Sequence, residues 1–358
     1  MGSVIIGSGM SLPKRVVTND DLSKIVDTTD EWIVPRTGIH ERHIAVNETC
    51  TDMGAAAGAR ALGLEEGGWQ REGGSIDPAS IDMVICMTLT PDAAYPSQAA
   101  LIRQRLKLEN AVCFDLSAAC SGCVYGISTG DLMLAASAMD RATAATRGEK
   151  PSRNVLRRIL VVGVERLSRL IDWTDRATCV LFGDGAGAVV MEWRDDETGV
   201  LATYMENTDD WDRTLQCDSA HCTREIPFEA APDDDSDPLP EADPYMRMAG
   251  QAVFKFASNA MMRCTNEVLD RAGLTIEDIT LFTPHQANER IIRYAAKKMK
   301  LPMERFQLSI DHTGNISGAS ALIALNEALM AGKLQKGDLA LMVGFGGGLT
   351  AGACAIRI

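Results

Sequence analysis

Short apolar runs closed by glycine- or proline-rich turns recur along the chain and alternate with alanine-rich stretches. Residues 3–9, 81–87, 111–116 and 155–164 are apolar runs that read as strands, the last three buried. Residues 51–62 and the stretch from about Gln98 have helical character, and Thr18-Asn19-Asp20-Asp21 carries a cap signature for a helix through Val26. After Cys120 the spacing of Val124, Ile127 and Leu132 among small residues predicts a buried helix that begins where the 111–116 strand ends. Polar residues dominate 28–45, and the glycine-rich 65–75 and charged 140–154 read as surface loops. Segment 172–193 has two apolar runs hinged at Gly183-Asp184-Gly185, which predicts a hairpin. Residues 206–247 read as a long excursion whose acidic run at 233–237 is a solvated loop.

The second part of the chain repeats the order of the first. A helix is predicted from about Gly250 to Ala272, then a strand at 279–283, the turn Pro284-His285-Gln286-Ala287-Asn288 and a basic helix, ERIIRYAAKKMK. TGNISGAS (313–320) opens a small-residue helix to about Met330, and 339–358 forms a second hairpin hinged on glycine. Cys120-Ser-Gly and Asn315-Ile-Ser-Gly then hold equivalent helix-start positions. The expectation is a duplicated α/β unit, 1–195 and 196–358, with two buried helices between two sheets and a site at their junction.

Composition narrows the function classes. The 358 residues are 46% apolar and 23% charged, ordinary for a globular protein, and no apolar run reaches membrane-spanning length. The start lacks a basic region before its apolar stretch, so it reads as a strand and turn and points to a cytoplasmic protein. A net charge of −14 argues against general nucleic-acid binding and requires a local basic patch for any acidic partner. The ten cysteines lie mostly inside apolar segments, which fits a reduced setting. Cys120 and Cys123 form a C-x-x-C, a redox or zinc half-site by spacing, but no second pair follows to complete a metal site; Cys217, His221 and Cys222 are a weaker metal candidate. No metal is expected.

Cys120 has chemistry built into its position. The first amides of a helix lack intrahelical partners and carry partial positive charge, so a thiol there is expected to have a lowered pKa. The competing reading is a packing cysteine. His285 and Asn315 sit in comparable small-residue turns; singly they are a structural histidine and a helix cap, jointly two hydrogen-bond donors facing a nucleophile. Gly346-Gly347-Gly348 offers amides that can approach an oxyanion closely. Trp32 beside Arg36 suits either an aromatic phosphorylated ligand or a loop anchored by a buried ring.

The motifs DLSAACSG (115–122), PHQAN (284–288), GNISGAS (314–320) and GFGGGLTAG (344–352) resemble those of β-ketoacyl-acyl-carrier-protein synthase III. DEWIVPRTGIHERHIA (30–45), TDRATCVLFGDGAGAVV (174–190) and MAGQAVFK (248–255) resemble the same family, in its order, with segments near 64–76, 138–154 and 206–245 outside the match. The resemblance implies the five-layered αβαβα thiolase fold and a decarboxylative condensation of an acyl-CoA primer with malonyl-acyl carrier protein, without cofactor. It implies Cys120 as acyl acceptor, His285 and Asn315 as its catalytic partners, and the amides of Cys120 and Gly347 as oxyanion hole. It assigns CoA and acyl contacts to Trp32, Arg36, Tyr95, Arg176, Gly250, Phe254, Asn288 and Phe345. It places carrier docking on Lys255, Arg290, Lys297 and Lys298, and implies a homodimer in which Tyr95 reaches the other subunit's acyl pocket.

Three departures bear on the primer. Ala351 and Cys123 stand where aromatics are common and Tyr95 where Phe is usual, so a branched or longer acyl group competes with acetyl. A related synthase or acyltransferase of secondary metabolism is the alternative, beside a hydroxymethylglutaryl-type synthase. A papain-like hydrolase would share the Cys, His and Asn but leaves the CoA-like motifs unexplained. A non-catalytic partner subunit would lack Cys120.

Overall fold

The computed structural model describes residues 1–218 and 243–358. The chain opens with β1 (Gly2–Ser11), β2 (Arg15–Thr18) and a single capped turn, α1 (Asn19–Leu22), in which Thr18 and Asp21 cap each other reciprocally. The polar stretch that follows contains a helix, α2 (Asp30–Thr37), capped by the Thr29 side chain and closed by Gly38 in the left-handed conformation. Then come β3 (Glu41–Ile44), which pairs with β2, the Ala-rich α3 (Cys50–Ala61), and β4 (Gly68–Gln70). Strand β5 (Met83–Met87), α4 (Gln98–Arg105), β6 (Val112–Leu116), α5 (Gly122–Arg147), β7 (Arg158–Arg166) and β8 (Asp184–Arg194) complete the first half. The second half runs β9 (Val200–Asn207), the short pair β10 (Leu215–Gln216) and β11 (Arg247–Met248), α6 (Gly250–Ala272), β12 (Leu281–Pro284), α7 (Glu289–Met299), α8 (Ile310–Thr313), α9 (Ser320–Met330), β13 (Leu339–Gly346) and β14 (Thr350–Arg357).

Two sheets share one plan. The first has order β4-β1-β8-β7-β5-β6 and the second β12-β13-β14-β9. In each, a parallel pair (β5–β7, β12–β13) leads into an antiparallel run (β7–β8–β1, β13–β14–β9). The second sheet even keeps a vestige of β6, a parallel bridge from Phe282 to Phe306.

Alternation along the strands builds the layers. Met83, Ile85, Ile159, Val161, Val189 and Met191 of the first sheet, and Ala340, Met342, Cys354 and Ile356 of the second, converge on one core around α5 and α9. Their neighbours Val84, Cys86, Leu160, Val162 and Val190 face outward against α3 and α4. Leu341, Val343, Ala353 and Ala355 face α6 and α7. The result is the five-layered αβαβα thiolase-like arrangement of two duplicated halves.

Four local expectations are corrected. The glycine-rich 65–75 is not all loop, because β4 pairs with Gly7–Gly9 on the edge of the sheet. Residues 140–147 continue α5, since the alanines there are strong helix formers and their charges point to water; the helix ends at Gly148, φ +67°. Segment 172–193 is not a hairpin. Residues 175–181 form turns in which Asp175 accepts from the Ala177 amide and the Thr178 hydroxyl, and their apolar side chains are buried by loop packing. Leu181 and Gly183 bond Asn315 rather than β8. Finally, Ala119 (φ +45°) and Ser317 (φ +44°) open matching 3-10 turns, 119–121 and 317–319, ahead of α5 and α9. By that match Cys120 corresponds to Gly318, and Asn315 precedes its turn. The acidic run 233–237, His221 and Cys222 lie outside the described residues.

Candidate active site at the junction of the halves

The two 3-10 turns pack face to face. A Cβ on Gly318 would sit 3.0 Å from the Ala119 carbonyl oxygen and 3.6 Å from the Gly122 nitrogen, so a side chain here would press on the facing turn. From the other side, a Cβ on Gly346 would sit 2.7 Å from the Cys120 nitrogen. Cys120 is thus held between the glycine-rich end of β13 and the turn that follows Asn315. Ser121 adds a cross-link, its hydroxyl 2.7 Å from that of Thr350.

His285 follows β12 and is buried, with Nδ1 2.6 Å from the Ser320 hydroxyl at the start of α9 and the ring edge-on to Phe345 at 5.3 Å. The Asn315 side-chain oxygen accepts from the Ser317 amide at 2.8 Å, which fixes the turn facing Cys120. Gly347 lies beside Ala119, the position its Cβ would take being 3.8 Å from the Ala119 Cβ. The sequence therefore names residues that the fold gathers. It passes over Gly318, Ser317, Ser320 and Glu165, whose importance comes from the neighbours they meet.

Electrostatics at the site follow burial. The Cys120 thiol is not lowered as its helix-end position suggests: desolvation pushes its pKa up to about 12, opposed by the Ser317 hydroxyl. Burial likewise lowers His285 to about 3, so its ring is neutral at physiological pH. Glu165, at the end of β7, is raised to about 7 by burial, against hydrogen bonds from Thr90 and Leu89.

Farther out, Trp32 is flanked by guanidinium groups on α2 and on the 175–181 turns: Arg36 lies 4.7 Å and Arg176 4.6 Å from its ring centroid. Arg176 also donates to the Asp27 carbonyl at 2.8 Å. Asn288 caps α7 and donates to the Arg36 carbonyl at 3.0 Å, tying α7 to α2. Gly250 begins α6 with open space around it, and Phe254, one turn on, packs edge-to-face against Tyr294. Lys255, Arg290, Lys297 and Lys298 are all exposed on α6 and α7, with Arg290 over Phe254. Tyr95 is 87% exposed, on the loop before α4. Ala351 and Cys123 are both buried. No group of metal-ligating side chains occurs among the described residues.

Two duplicated halves that meet at a buried cysteine define a condensing enzyme of the thiolase-like fold. The comparisons make the class specific. Residues 146–209 match the family model described as 3-oxoacyl-[acyl-carrier-protein] synthase III, and residues 269–358 match its C-terminal model. The chain is 42% identical over 357 residues to the β-ketoacyl-[acyl-carrier-protein] synthase III of Aquifex aeolicus, covering 100% of both chains. It is 40% identical over 358 residues to that of Clostridium acetobutylicum, covering 100% of this chain and 99% of the relative. The Aquifex aeolicus crystal structure superposes with TM-score 0.81 at 40% identity, covering 100% of both chains. The priming β-ketosynthase of the R1128 polyketide biosynthetic pathway superposes with TM-score 0.82 at 33% identity, covering 100% of this chain and 96% of that one. The protein belongs to the β-ketoacyl-acyl-carrier-protein synthase III family of condensing acyltransferases.

Proposed function

We propose that this enzyme starts type II fatty acid biosynthesis by condensing an acyl-CoA primer with malonyl-acyl carrier protein, through an acyl group carried on Cys120. The sulfur attacks the primer thioester, the amides of Cys120 and Gly347 hold the oxyanion, and CoA leaves. Malonyl-carrier protein then enters. His285 and Asn315 donate to its thioester carbonyl, CO2 departs, and the enolate they stabilise attacks the acyl-cysteine carbonyl. Cys120 is released and the β-ketoacyl chain stays on the carrier. Each preorganised donor of this kind contributes roughly 3–4 kcal/mol. The observation that carries this reading is the packing of the Cys120 turn against the turn that Asn315 orders and from which Ser320 reaches His285.

The remaining roles complete this reading. Trp32 and Arg176 stack on the CoA adenine and Arg36 meets phosphate; Arg176 now covers the Trp32 ring and must swing aside. Gly250, Phe254 and Asn288 line the pantetheine path, Phe345 backs the histidine, and the basic face of α6 and α7 receives the acidic carrier. The protein acts in the cytoplasm as a homodimer without a cofactor. Its edge strand β6 carries an exposed Val112, and Leu132, Met139 and Tyr95 add exposed apolar surface nearby in the chain. No helix among the described residues is long and apolar enough to cross a membrane. The division at 195/196 gives the nucleophile to one half and His285 and Asn315 to the other. A second reading, a priming synthase of secondary metabolism using branched or longer acyl-CoA, is supported by Ala351 in place of an aromatic and by the likeness to the R1128 enzyme.

The test is incubation with mixed acyl-CoAs, then malonyl-carrier protein, with intact-mass detection. A synthase retains one acyl group on Cys120 and converts malonyl-carrier to β-ketoacyl-carrier. Release of free acid without malonyl consumption means a hydrolase.

A further inference from the structure

His285 and Asn315 must aim at one oxygen, yet α7 and α8 lie between them in the chain. The residue after the histidine closes that gap. Gln286 is fully buried, and its carboxamide makes four hydrogen bonds. Nε2 donates to the Pro284 carbonyl at 2.8 Å and the Gln307 carbonyl at 3.1 Å. Oε1 accepts from the Ser309 amide at 2.9 Å and the Ile310 amide at 3.2 Å. The nitrogen thus meets two carbonyls and the oxygen two amides, which uses both hydrogens and both lone pairs of the group. The backbone amide of Gln286 donates to the Ser320 hydroxyl at 3.1 Å.

These bonds run to the two stretches that carry the donors. On one side they hold the peptide groups before and after His285, whose own amide donates to the Val343 carbonyl at 2.7 Å. On the other side they hold the entry of α8. That helix is one closed turn: the Thr313 amide donates to the Ser309 carbonyl at 3.0 Å, and the Gly314 amide to the Ile310 carbonyl at 3.1 Å. A shift at 309–310 is therefore carried to Gly314 and on to Asn315. The same segment is tied to α9 by the Ser309 hydroxyl, which donates to Glu327 at 2.7 Å.

We infer that Gln286 is a positioning residue for decarboxylation, its carboxamide setting the spacing of His285 and Asn315 and so the aim of both donors at one thioester oxygen. Donors of this kind act only within narrow limits of distance, and a misplacement of about 1 Å costs about 10²-fold in rate. Ser320 orients the ring; Gln286 places the backbone that carries it. Among the described residues the Gln286 side chain bonds 284, 307, 309 and 310 and not the Cys120 turn, so acyl loading does not depend on it. Other groups of this size do not replace the carboxamide. A carboxylate sets an oxygen against the Pro284 and Gln307 carbonyls, and a thioether removes the partner of all four backbone groups.

The inference rests on the proposed donation by His285 and Asn315, so its test includes both. Enzyme already acylated on Cys120 is mixed with malonyl-carrier protein, and loss of the malonyl group is followed by mass. Gln286→Glu keeps the shape and the accepting half of the bonds. It is expected to slow malonyl loss by about 10²-fold, with KM for malonyl-carrier protein and the rate of loading near wild type. Gln286→Met fills the same space without a buried charge and is expected to show the same split, with melting temperatures confirming that each variant folds. In an Asn315→Ala background spacing no longer matters, because a carbonyl held by one donor can follow it. There Gln286→Glu is expected to cost no more than about twofold. Equal loss of loading and malonyl loss, the full penalty persisting beside Asn315→Ala, or wild-type malonyl loss in both Gln286 variants overturns the positioning role. Undiminished malonyl loss in both His285→Ala and Asn315→Ala overturns the donor reading instead.

Discussion

The Ser320 hydroxyl stands 2.6 Å from Nδ1 of His285 and bonds two backbone groups of opposite kind, accepting from the Gln286 amide at 3.1 Å and reaching the Ser317 carbonyl at 2.9 Å. It has one proton for two acceptors, Nδ1 and the Ser317 oxygen. The choice sets the histidine tautomer. The proposed donation from Nε2 to the malonyl thioester requires Nδ1 to accept, so Ser320 must donate to the ring during condensation. Ser320→Ala removes that bond. The expected outcome is a loss of decarboxylation of about 10–100-fold, typical of an orienting partner, with Cys120 loading unchanged. Separate assays of the two half-reactions read it, and the His285 nitrogen shifts report the tautomer; unchanged decarboxylation contradicts the role.

Gly346 is expected to tolerate no side chain. An alanine Cβ would lie 2.7 Å from the Cys120 nitrogen and 2.8 Å from its Cβ, both parts of a buried turn that cannot yield. Overpacking of this kind costs about 1–3 kcal/mol, and any relief moves the nucleophile. Gly346→Ala should therefore lower the melting temperature and the yield of acyl-enzyme together. A variant with wild-type loading would show that the turn has slack.

Much of this site was legible because the chemistry resides in residue types held at fixed turns. Cys120, His285 and Asn315 stand out as polar residues ending apolar segments, and the hinged hairpin at 339–358 needs only strand periodicity and glycine. What escaped depends on contacts between distant segments. The 175–181 run is apolar because Arg42 and the Asn315 loop cover it, and periodicity cannot separate that from a strand. The lowered thiol pKa expected from position gave way to desolvation, which only the packed turns reveal. The repeat was visible, yet its register was not, because it rests on backbone angles at Ala119 and Ser317.

The arginines around Trp32 should control primer binding rather than chemistry. Arg176 is half of the stack and has no contact with Cys120 or His285 in the structure. Arg176→Ala is expected to raise KM for acyl-CoA about tenfold, within the range for a partly desolvated cation–π contact, with kcat nearly unchanged. A fall in kcat at constant KM would place Arg176 elsewhere in the cycle.

His312 gives a stability prediction with a definite sign. It lies 2.8 Å from both Asp311 and Glu327, and these carboxylates raise its pKa from 6.5 to about 10. Asp311 is correspondingly lowered, chiefly by its hydrogen bond to His312. The folded protein therefore holds this proton more tightly than the unfolded chain does. The stabilisation is full below about 6.5 and is lost as pH rises through the folded value near 10. His312→Gln should flatten the decline of melting temperature across this window and leave acyl loading unchanged, because the His312 ring bonds Asp311 and Glu327, neither of which is assigned to loading. An unaltered slope would mean that solvent screens the pair, since the imidazole is 38% exposed.

The basic face of α7 should govern the second substrate alone. Lys297 and Lys298 are exposed, and Lys298 approaches the Tyr294 ring at 5.5 Å without an ion-pair partner among the described residues. Arg293, by contrast, is paired with Glu289 on the same helix. Unpaired cations in a chain of net charge −14 concentrate the local attraction for an acidic carrier. Charges at such a rim act mainly on association rate and its dependence on salt. Lys297→Glu with Lys298→Glu should therefore raise KM for malonyl-carrier protein about tenfold at low ionic strength, with the difference shrinking as salt screens both enzymes. Loading of Cys120 from acyl-CoA should be untouched, because the first half-reaction needs no carrier. Equal loss of both half-reactions would show instead that the substitutions disturb α7 and its anchor to Arg36 through Asn288.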